Sequence, residues 1–308
     1  MKYIVTGGAG FIGSHIVERL VNEKKEVLVL DDLSTGKLDN IRLFLDKLTF
    51  VKGTILDLNI LRSLIKEGDI IFHQAAIPSV SRSLKEPILS NKVNVEGTLN
   101  LLVVAKEKKA KRFIFASSSS IYGDSEKLPK NENMPPNPKS PYALSKYTAE
   151  TYVILFNKLY GLETVSLRYF NVFGPRQDPE SEYAAVIPKF IKIMINNESP
   201  IIFGDGKQTR DFTYVSNVVD ANILASVSEK AIGKIINVAC GERYSLIDLV
   251  NILNKKLQKN IKPVFNDERK GDVKHSLADI SSAKELLGYV PKINFERGIE
   301  LTIKSFMV

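Results

Sequence analysis

Short apolar runs alternate with amphipathic stretches through the first half of this 308-residue chain. An apolar run at residues 3–5 precedes a helical pattern at 11–21, and the same alternation continues downstream. Continuous apolar runs separated by helical patterns are typical of parallel strands with helices on both faces of the sheet. The other predicted strands are 27–30, 49–51, 70–72, 113–116 and 164–167. The pattern therefore predicts an α/β fold with a doubly wound parallel sheet.

The pattern changes after Asn171. A loop with a glycine and two prolines at 174–179 precedes a predicted helix at 184–196, and shorter strands with Gly/Asp turns follow. We expect a smaller, mixed α/β C-terminal lobe there. In the first half, prolines cluster within residues 123–140. Because proline is not tolerated inside helices or central strands, this stretch is predicted to be a long loop beside the sheet.

The charge of the chain is compatible with an anionic ligand. There are 43 Lys and Arg residues against 35 Asp and Glu, which gives a net charge of +8. This suits a nucleotide diphosphate, although a solvated basic surface would give the same total. The lysines are scattered along the chain and no aromatic residues are interleaved with them, so we expect no nucleic-acid partner.

Cysteine usage and the apolar pattern indicate the compartment. Cys240 is the only cysteine, and the three histidines lack metal-ligand spacing, so we expect no disulfide and no metal site. No apolar run approaches the roughly 18 residues of a membrane span. The N-terminus runs straight into a glycine turn, which leaves no room for a signal peptide. We therefore expect a cytoplasmic protein that is not attached to a membrane.

A glycine-rich turn follows the first predicted strand and opens the first predicted helix. It lies in the sequence Thr6-Gly7-Gly8-Ala9-Gly10-Phe11-Ile12-Gly13. The order strand, turn, helix distinguishes a dinucleotide-binding motif from a chance glycine pattern. Gly7 permits the tight turn, Gly10 lets the backbone approach a pyrophosphate, and Gly13 lets the helix pack on the strand. The N–H groups and dipole at the helix N-terminus favour the phosphate charge.

The second predicted strand ends in Asp31-Asp32. A carboxylate at this position can accept hydrogen bonds from the ribose hydroxyls on the adenine side of the dinucleotide, and it repels a 2′-phosphate. No arginine follows within the next few residues to reverse that preference. Asp31 therefore predicts NAD rather than NADP.

A candidate catalytic pair lies at the start of another predicted helix. Ser140 fits the N-cap and Pro141 the first helical position, which places Tyr142 and Lys146 one turn apart on one face. A phenol with a pKa of roughly 10 is a poor base at neutral pH, so acid/base chemistry by Tyr142 requires nearby positive charge. Lys146 and an oxidised nicotinamide would supply it. A serine run at 117–120 ends a strand at the carboxyl edge of the sheet, where a hydroxyl could bridge substrate and Tyr142.

Together these motifs resemble the extended short-chain dehydrogenase/reductase family, and the similarity covers nearly the whole chain. The specific stretches are 168–179, 183–188, Gly204-Asp205-Gly206, Arg210-Asp211-Phe212 and 270–279. Within the family the chain resembles UDP-sugar 4-epimerases, above all the UDP-N-acetylglucosamine 4-epimerases of bacteria and archaea. The resemblance implies a Rossmann-type NAD-binding domain at 1–171, joined by about 212–238, a UDP-sugar-binding lobe at 172–308, and a homodimer.

The resemblance also implies a role for individual residues. Tyr142 would be the base, Lys146 would hold the nicotinamide ribose, and Ser118 would be the catalytic hydroxyl. With the glycine turn included, the expected NAD contacts are Gly7, Gly10, Phe11, Ile12, Gly13, Asp31, Asp32, Ser34, Thr35, Gly36, Ile55, Ala75, Ala76, Asn94, Tyr142, Lys146 and Tyr169. The expected substrate contacts are Ser79, Ser118, Ser119, Tyr142, Asn171, Ala185, Val186, Phe203, Arg210, Arg269, Asp272 and Ser276. Phe203 is expected against uracil and the arginines on the diphosphate, because guanidinium groups suit phosphate oxygens.

Two positions depart from the commonest pattern of the family. Thr54 stands where an aspartate often contacts adenine, and Pro78 stands where some hexose epimerases have a lysine. The first departure weakens the case for that adenine contact, and it leaves the expectation of NAD binding unchanged.

The expected reaction is inversion at C4 of a UDP-hexose through transient oxidation to a 4-keto sugar. Sugar-nucleotide dehydratases and UDP-glucuronate decarboxylases begin with the same oxidation and are the alternative, together with UDP-glucuronate epimerases. The dehydratases and decarboxylases resemble one another in having a carboxylate just after the catalytic hydroxyl residue, where this chain has Ser119-Ser120. Without that carboxylate the ketone has no evident route except hydride return. An NAD-binding sensor or scaffold is the non-enzyme alternative, and the presence of Tyr142 and Lys146 argues against it.

Ser276 aligns with a position that resembles a sugar-specificity gate. A large aromatic residue there excludes an N-acetyl group, and a small residue admits it. The expected substrates are therefore UDP-N-acetylglucosamine and UDP-N-acetylgalactosamine, with UDP-glucose and UDP-galactose as further candidates.

Overall fold

Helices and strands alternate along the computed structural model, which describes residues 1–179, 185–268 and 274–307. In these ranges the strands are β1 (Tyr3–Thr6), β2 (Val27–Asp31), β3 (Thr49–Lys52), β4 (Ile70–His73), β5 (Arg112–Ser118), β6 (Thr164–Tyr169), β7 (Val172–Phe173), β8 (Ile201–Phe203), β9 (Thr209–Arg210), β10 (Thr213–Tyr214), β11 (Lys234–Val238), β12 (Tyr244–Ser245) and β13 (Val264–Asn266). The α-helices are α1 (Phe11–Asn22), α2 (Leu58–Leu64), α3 (Val80–Lys85), α4 (Pro87–Asn91), α5 (Thr98–Glu107), α6 (Pro141–Tyr160), α7 (Val186–Ile195), α8 (Val215–Val227), α9 (Leu246–Leu257), α10 (Ser281–Leu287) and α11 (Phe295–Phe306). A π-helical segment, Lys92–Gly97, leads into α5.

The central sheet of the described residues has seven strands in the order β11-β6-β5-β4-β1-β2-β3. All neighbouring strands in it are parallel. The direction of the strand order reverses between β1 and β4, and open sheets of this kind bind ligands in the crevice at that point. The predicted Rossmann-type, doubly wound fold is confirmed. The edge strand β11, which lies in the segment 212–238, was not among the strands that the apolar runs predicted.

Apolar clusters cover both faces of the sheet. α1 and α8 pack on one face, where the buried residues include Val5, Val29 and Val218. α5 and α6 pack on the other face, where the cluster includes Ile4 and Phe113. Adjacent residues of a strand point to opposite faces, which explains why Ile4 and Val5 belong to different clusters.

A third apolar cluster lies in the C-terminal lobe and is centred on Phe173, Phe212 and Phe295. The rings of Phe212 and Phe295 stack with their centres 5.1 Å apart. α7, α9 and α11 contribute to this cluster, beside the strand pairs β7–β10, β8–β13 and β9–β12. The predicted helix at 184–196 corresponds to α7, and its first residue, Ala184, lies outside the described residues. The lobe has the mixed α/β character that was predicted.

A buried carboxylate ties this lobe to the sheet and to the proline-rich loop. Asp211 accepts backbone N–H bonds from Cys240 at 3.0 Å, Gly241 at 3.1 Å and Ala278 at 3.1 Å. Cys240 and Gly241 follow β11, and Ala278 forms a bridge with Lys130 of the loop. Burial raises the pKa of Asp211 to about 7, and the three hydrogen bonds act in the opposite direction. The Asp211 side chain therefore binds two segments directly, the one after β11 and the one at Ala278, and the second is bridged to the loop.

The proline-rich segment was predicted to be a loop. Residues 123–140, all of them described, form the expected loop, with one bridge at Lys130. Within the described ranges, every helix is too short or too polar to cross a lipid bilayer.

Candidate active site

The glycine turn between β1 and α1 is closely packed. Gly7 has a φ of +69°, in the left-handed region that favours glycine, and a Cβ there would lie 2.6 Å from the Ala75 nitrogen. A Cβ on Gly13 would lie 2.1 Å from the Gly7 carbonyl oxygen. Gly10 is the N-cap of α1 and provides no side-chain acceptor, so the first N–H groups of the helix stay available to an anion. This cradle fits the pyrophosphate of a dinucleotide.

Asp31, at the end of β2, supports the glycine turn and lines a cleft at the carboxyl edge of the sheet. Its Oδ2 accepts from the Ala9 N–H at 2.9 Å, and its Oδ1 accepts from the Leu33 N–H at 2.8 Å. Burial raises the pKa of Asp31, and these two backbone hydrogen bonds act against that shift. Each carboxylate oxygen keeps a further lone pair for a ribose hydroxyl. Asp31 can therefore order the turn and bind the ribose at once.

A cleft of about 620 Å³ lies across the carboxyl edge of the sheet. Of the residues expected to contact NAD, it is lined by Gly7, Gly10, Phe11, Ile12, Gly13, Asp31, Asp32, Ser34, Thr35, Gly36, Ile55, Ala75, Ala76, Tyr142, Lys146 and Tyr169. Thr54 and Pro78, the two departures from the family pattern, line it as well. The expected cofactor residues and the acid/base pair thus share one cleft.

Asn94 supports this cleft from behind. It lies in the π-helical segment, and its Oδ1 accepts from the Ile77 N–H at 2.8 Å. Its Nδ2 donates to the Ile77 carbonyl at 3.2 Å and to Ser145 Oγ at 3.0 Å. Segments of π-helix recur at functional sites. The side chain therefore joins the loop after β4 to α6, and its expected contact with NAD stays a prediction.

A buried hydrogen-bonded chain, which no sequence pattern indicated, lies beneath the cleft. His73 Nδ1 lies 2.7 Å from Thr6 Oγ1, and His73 Nε2 lies 2.9 Å from Thr98 Oγ1. Thr98 Oγ1 donates its hydrogen to the Asn94 carbonyl at 2.7 Å, so it accepts from His73 Nε2, which must hold the proton. Burial, and then the charge of Lys146, lowers the pKa of His73 to about 3. His73 is therefore a neutral structural link.

The Ser118 side chain lies within hydrogen-bonding reach of the Tyr142 phenol, and this interaction acts to lower the Tyr142 pKa. Ser118 Oγ also accepts from the Ser120 N–H at 3.2 Å and from Ser120 Oγ at 2.9 Å. With two bonds accepted, the Ser118 hydroxyl hydrogen is left to donate to the Tyr142 oxygen. Burial raises the pKa of Tyr142, and the bond from Ser118 acts in the opposite direction. A phenol in this position needs positive charge nearby before it can act as a base.

Lys146 places that charge one helical turn from Tyr142. Its side chain is buried, and Nζ donates to the Ala116 carbonyl at 2.9 Å. Nζ also lies 5.1 Å from the centre of the Phe115 ring. Burial lowers the pKa of Lys146 to about 8, so the ammonium is still charged at neutral pH. The strand β5 therefore holds both members of the pair, through Ser118 and Ala116.

Besides Tyr142, two of the expected substrate residues, Ser79 and Ala185, line the same cleft. Ser79 has a φ of +95°, which is rare for a residue with a side chain, and its Oγ accepts from the Arg82 N–H at 3.2 Å. Strained backbone of this kind clusters at functional sites. Ala185 is the N-cap of α7, and Val186 is the first residue of that helix. The start of α7 therefore lies at the cleft.

Arg210 and Ser276 lie together on a small framework in the C-terminal lobe. The Ser276 N–H donates to the Thr209 carbonyl at 3.0 Å. Arg210 Nη1 donates to the Thr209 carbonyl at 3.0 Å and to the Lys274 carbonyl at 3.2 Å. The expected phosphate ligand and the expected sugar gate are thus on adjacent segments.

The other expected substrate residues are at strand ends. Asn171 precedes β7 and donates through Nδ2 to the Asp211 carbonyl at 3.3 Å. Phe203 ends β8, and Ser119 begins the turn after β5. Arg269 and Asp272 lie outside the described residues.

The cleft also contains charged residues that the sequence analysis did not single out: Lys37, Arg82, Arg176 and Asp178. Lys37 Nζ lies 2.7 Å from Asp178 Oδ2, and Arg176 pairs with Glu18 on α1 at 2.5 Å. These pairs fasten the 174–179 loop across the cofactor end of the cleft. The loop belongs to a stretch that carried the family resemblance, but only the folded chain shows what it touches.

The low pKa of Lys146 predicts a pH-dependent stability. Because folding lowers this pKa from 10.5 to about 8, the unfolded chain binds the proton more tightly. The buried charge of Lys146 therefore destabilises the folded state fully below pH 8, and this effect is relieved as the pH rises toward 10.5. Relative to Lys146→Met, the unmodified protein should gain about 1.5 kcal/mol of unfolding free energy between pH 8 and pH 9.5. Urea unfolding at both pH values measures this gain. Lys158→Met, at an exposed site on the same helix, is the control and should gain as much as the unmodified protein. An equal gain for Lys146→Met and Lys158→Met would contradict the prediction.

Comparison with known proteins identifies the family of the chain. Residues 3–239 match the model of the NAD dependent epimerase/dehydratase family. A putative UDP-glucose 4-epimerase of Methanocaldococcus jannaschii is 41% identical over 97% of this chain and 96% of its own length. A UDP-N-acetylglucosamine 4-epimerase of Methanobrevibacter ruminantium, solved with UDP-N-acetylmuramic acid, is 43% identical with a TM-score of 0.95, covering 99% of this chain and 98% of that one. A Thermotoga maritima UDP-glucose 4-epimerase solved with UDP-glucose is 39% identical with a TM-score of 0.95, covering 100% of this chain and 99% of that one. The chain belongs to the NAD-dependent epimerase/dehydratase family.

Proposed function

We propose that this protein inverts C4 of a UDP-linked hexose, with UDP-N-acetylglucosamine and UDP-N-acetylgalactosamine as substrates and UDP-glucose and UDP-galactose as further ones. The observation that carries this proposal is the Ser118–Tyr142–Lys146 arrangement at the edge of a cleft that fits NAD. The names of similar 4-epimerases support the same reaction. Each residue then has a chemical task.

The chain's own groups control the proton and the position of the sugar. Bound NAD supplies reversible hydride transfer at C4. Ser118 donates to Tyr142, and the Lys146 ammonium favours the phenolate, so Tyr142 can take the C4 hydroxyl proton and later return it. Inversion requires the sugar to turn over between these two proton transfers. The site must therefore hold UDP firmly and the sugar loosely.

The division of the site matches this demand. The candidate UDP ligands Phe203 and Arg210 are on strands of the C-terminal lobe, where Arg210 is already oriented by two backbone carbonyls. The candidate sugar contacts are small hydroxyl residues, Ser79, Ser118 and Ser119, and Ser79 lines the same cleft as Tyr142. Arg269 and Asp272 complete the proposed UDP contacts.

The serine run also separates the proposed reaction from elimination. A dehydratase needs an acid/base group near C5 and C6 in addition to the C4 base. In this chain Ser120 lies two residues after Ser118, and its Oγ donates to Ser118 Oγ at 2.9 Å. A hydroxyl held in this way orients Ser118 and offers no carboxylate for proton transfer. Epimerisation is therefore favoured over dehydration or decarboxylation.

The reaction itself is the first test. Incubation with UDP-N-acetylglucosamine should give the galacto epimer in proton NMR spectra, and Tyr142→Phe should reduce the rate by roughly 10²–10⁴-fold, the usual contribution of a general base. UDP-glucose and the matching uronic acid sugars are run in parallel. A stable keto sugar or loss of C6 would exclude epimerisation.

Ser276 is proposed to decide the choice of sugar. It is buried at 8% exposure and its backbone is bonded to Thr209, so a large residue there has little room to move away. Ser276→Tyr should lower kcat/KM for UDP-N-acetylglucosamine by about 100-fold, equivalent to about 2.7 kcal/mol, while activity on UDP-glucose falls by much less. Ser276→Ala is the matched control and should keep both activities. Unchanged turnover of the N-acetylated sugar by Ser276→Tyr would contradict a role of Ser276 in the choice of sugar.

We also propose a homodimer, in which α6 packs against the same helix of a second copy. Its exposed face carries Leu144, Leu155 and Leu159, and the neighbouring helices α3 and α4 expose Leu84 and Ile88. An apolar stripe of this size on a soluble enzyme suits an isologous interface. Light scattering should give twice the chain mass of 34.4 kDa, and Leu155→Lys should lower it toward the monomer. A monomeric unmodified protein would contradict this assembly.

A further inference from the structure

The last three residues of β5 all bind one face of α6. The pairs are Ala116 with Lys146, Ser117 with Glu150, and Ser118 with Tyr142. The helix residues are spaced by four, so they lie on one face. Two of these contacts hold the acid/base pair. The third, from Ser117 Oγ to Glu150 Oε2 at 2.7 Å, involves no residue with a task in the proposed reaction.

Glu150 is also bound to the neighbouring strand. Arg168 of β6 donates to Glu150 Oε2 through Nε at 2.9 Å and to Oε1 through Nη2 at 2.6 Å. Both side chains are buried, with relative exposures of 1% and 3%. Ser117 and Arg168 are opposite each other in the register of the two strands. The Glu150 carboxylate therefore joins α6 to β5 and β6 at the level of the active site.

Stability alone does not account for this ion pair. Removing a carboxylate and a guanidinium from water is expensive, and apolar residues of similar volume in place of a buried ion pair are often neutral or stabilising. What the pair provides here is a directional attachment, made one helical turn beyond Lys146. Apolar contacts such as those of Phe113 and Val153 in the same interface do not fix the helix along its axis in this way.

We propose that Glu150 is a positioning residue, which fixes α6 on the end of β5 and thereby sets Tyr142 on Ser118 and Lys146 on the Ala116 carbonyl. The inference rests on the proposed function, because it concerns the same acid/base pair. A displacement of about 1 Å at a reacting group can cost on the order of 10²-fold in rate. A carboxylate on α6 that is bonded to both β5 and β6 is thus a means of keeping that geometry.

Ser117→Ala removes the contact to β5 and leaves both charges in place. The matched control is Ser166→Ala, because Ser166 Oγ is buried on β6 and, among the described residues, has no hydrogen-bond partner. Ser117→Ala should lower kcat about tenfold with KM changed less than twofold, and Ser166→Ala should leave both constants unchanged. Equal kcat values for the two variants would overturn the proposal.

A double variant separates positioning from stability. Glu150→Met combined with Arg168→Met removes the ion pair and keeps the volume of the site, so the melting temperature and NAD content should be preserved. kcat should nevertheless fall by about 100-fold. A variant that melts at the same temperature, binds NAD and turns over at the unmodified rate would show that the pair has no positioning role.

A titration of Tyr142 tests the inference without turnover. The phenolate absorbance of the NAD-loaded protein, minus that of Tyr142→Phe in the same background, reports the Tyr142 pKa. Ser117→Ala should raise this pKa, because the contact with Ser118 that favours the phenolate is loosened, and Ser166→Ala should not. The titratable and charged groups around the site are Lys146 and Glu150 on α6, His73 on β4, Arg168 and Tyr169 on β6, Arg82 on α3, and Asp31, Asp32, Lys37, Arg176 and Asp178 across the cleft. Neither serine substitution changes them.

The two proposals fail in different ways. If the unmodified protein epimerises no UDP-sugar, the proposed function is wrong, and the titration still decides the role of Glu150. If the protein is an active epimerase but Ser117→Ala matches Ser166→Ala in both kcat and Tyr142 pKa, the positioning role is wrong.

Discussion

The proposed chemistry of this protein depends on how α6 is attached to the end of β5. Tyr142 and Lys146 are buried, which raises the pKa of the phenol and lowers that of the amine, so burial alone favours the neutral form of both groups. Hydrogen bonds oppose this tendency: Ser118 donates to the phenol, and the Ala116 carbonyl accepts from the ammonium. In the proposed mechanism these contacts allow the pair to exchange a proton at neutral pH.

The cofactor side and the sugar side of the cleft are built differently. The glycine turn, Asp31 and the Thr6–His73–Thr98 chain are closely packed and hydrogen-bonded to one another or to neighbouring backbone. Such a site suits a cofactor that stays in place. The proposed sugar contacts are small hydroxyl residues, while the candidate UDP ligands Phe203 and Arg210 are on strands of the C-terminal lobe. Asp211 joins that lobe to the sheet, so the uridine end and the catalytic end share one frame.

Much of this could be predicted from the sequence, for physical reasons. Both the buried strands and the glycine turn depend on local pattern, and Tyr142 and Lys146 are brought together by helical spacing alone. β11 was not predicted as a strand, because its apolar run is short and begins with Lys234. The hydrogen-bond partners of His73, Glu150 and Asp211 could not be predicted from the sequence, because each bond joins residues far apart in the chain. The bonds of the Asn94 side chain to Ile77 and Ser145 are likewise not revealed by spacing, and its contact with NAD stays a prediction.

In the proposed reaction one face of C4 loses its hydrogen and the opposite face receives the same hydrogen back, without exchange with water. UDP-N-acetylglucosamine that carries deuterium at C4 tests this directly when it is converted in ordinary water. Mass spectrometry and proton NMR of the epimer should find the deuterium retained at C4. Replacement of that deuterium by solvent hydrogen would contradict the account, because it would indicate a proton abstraction at carbon instead of oxidation and return within the closed site.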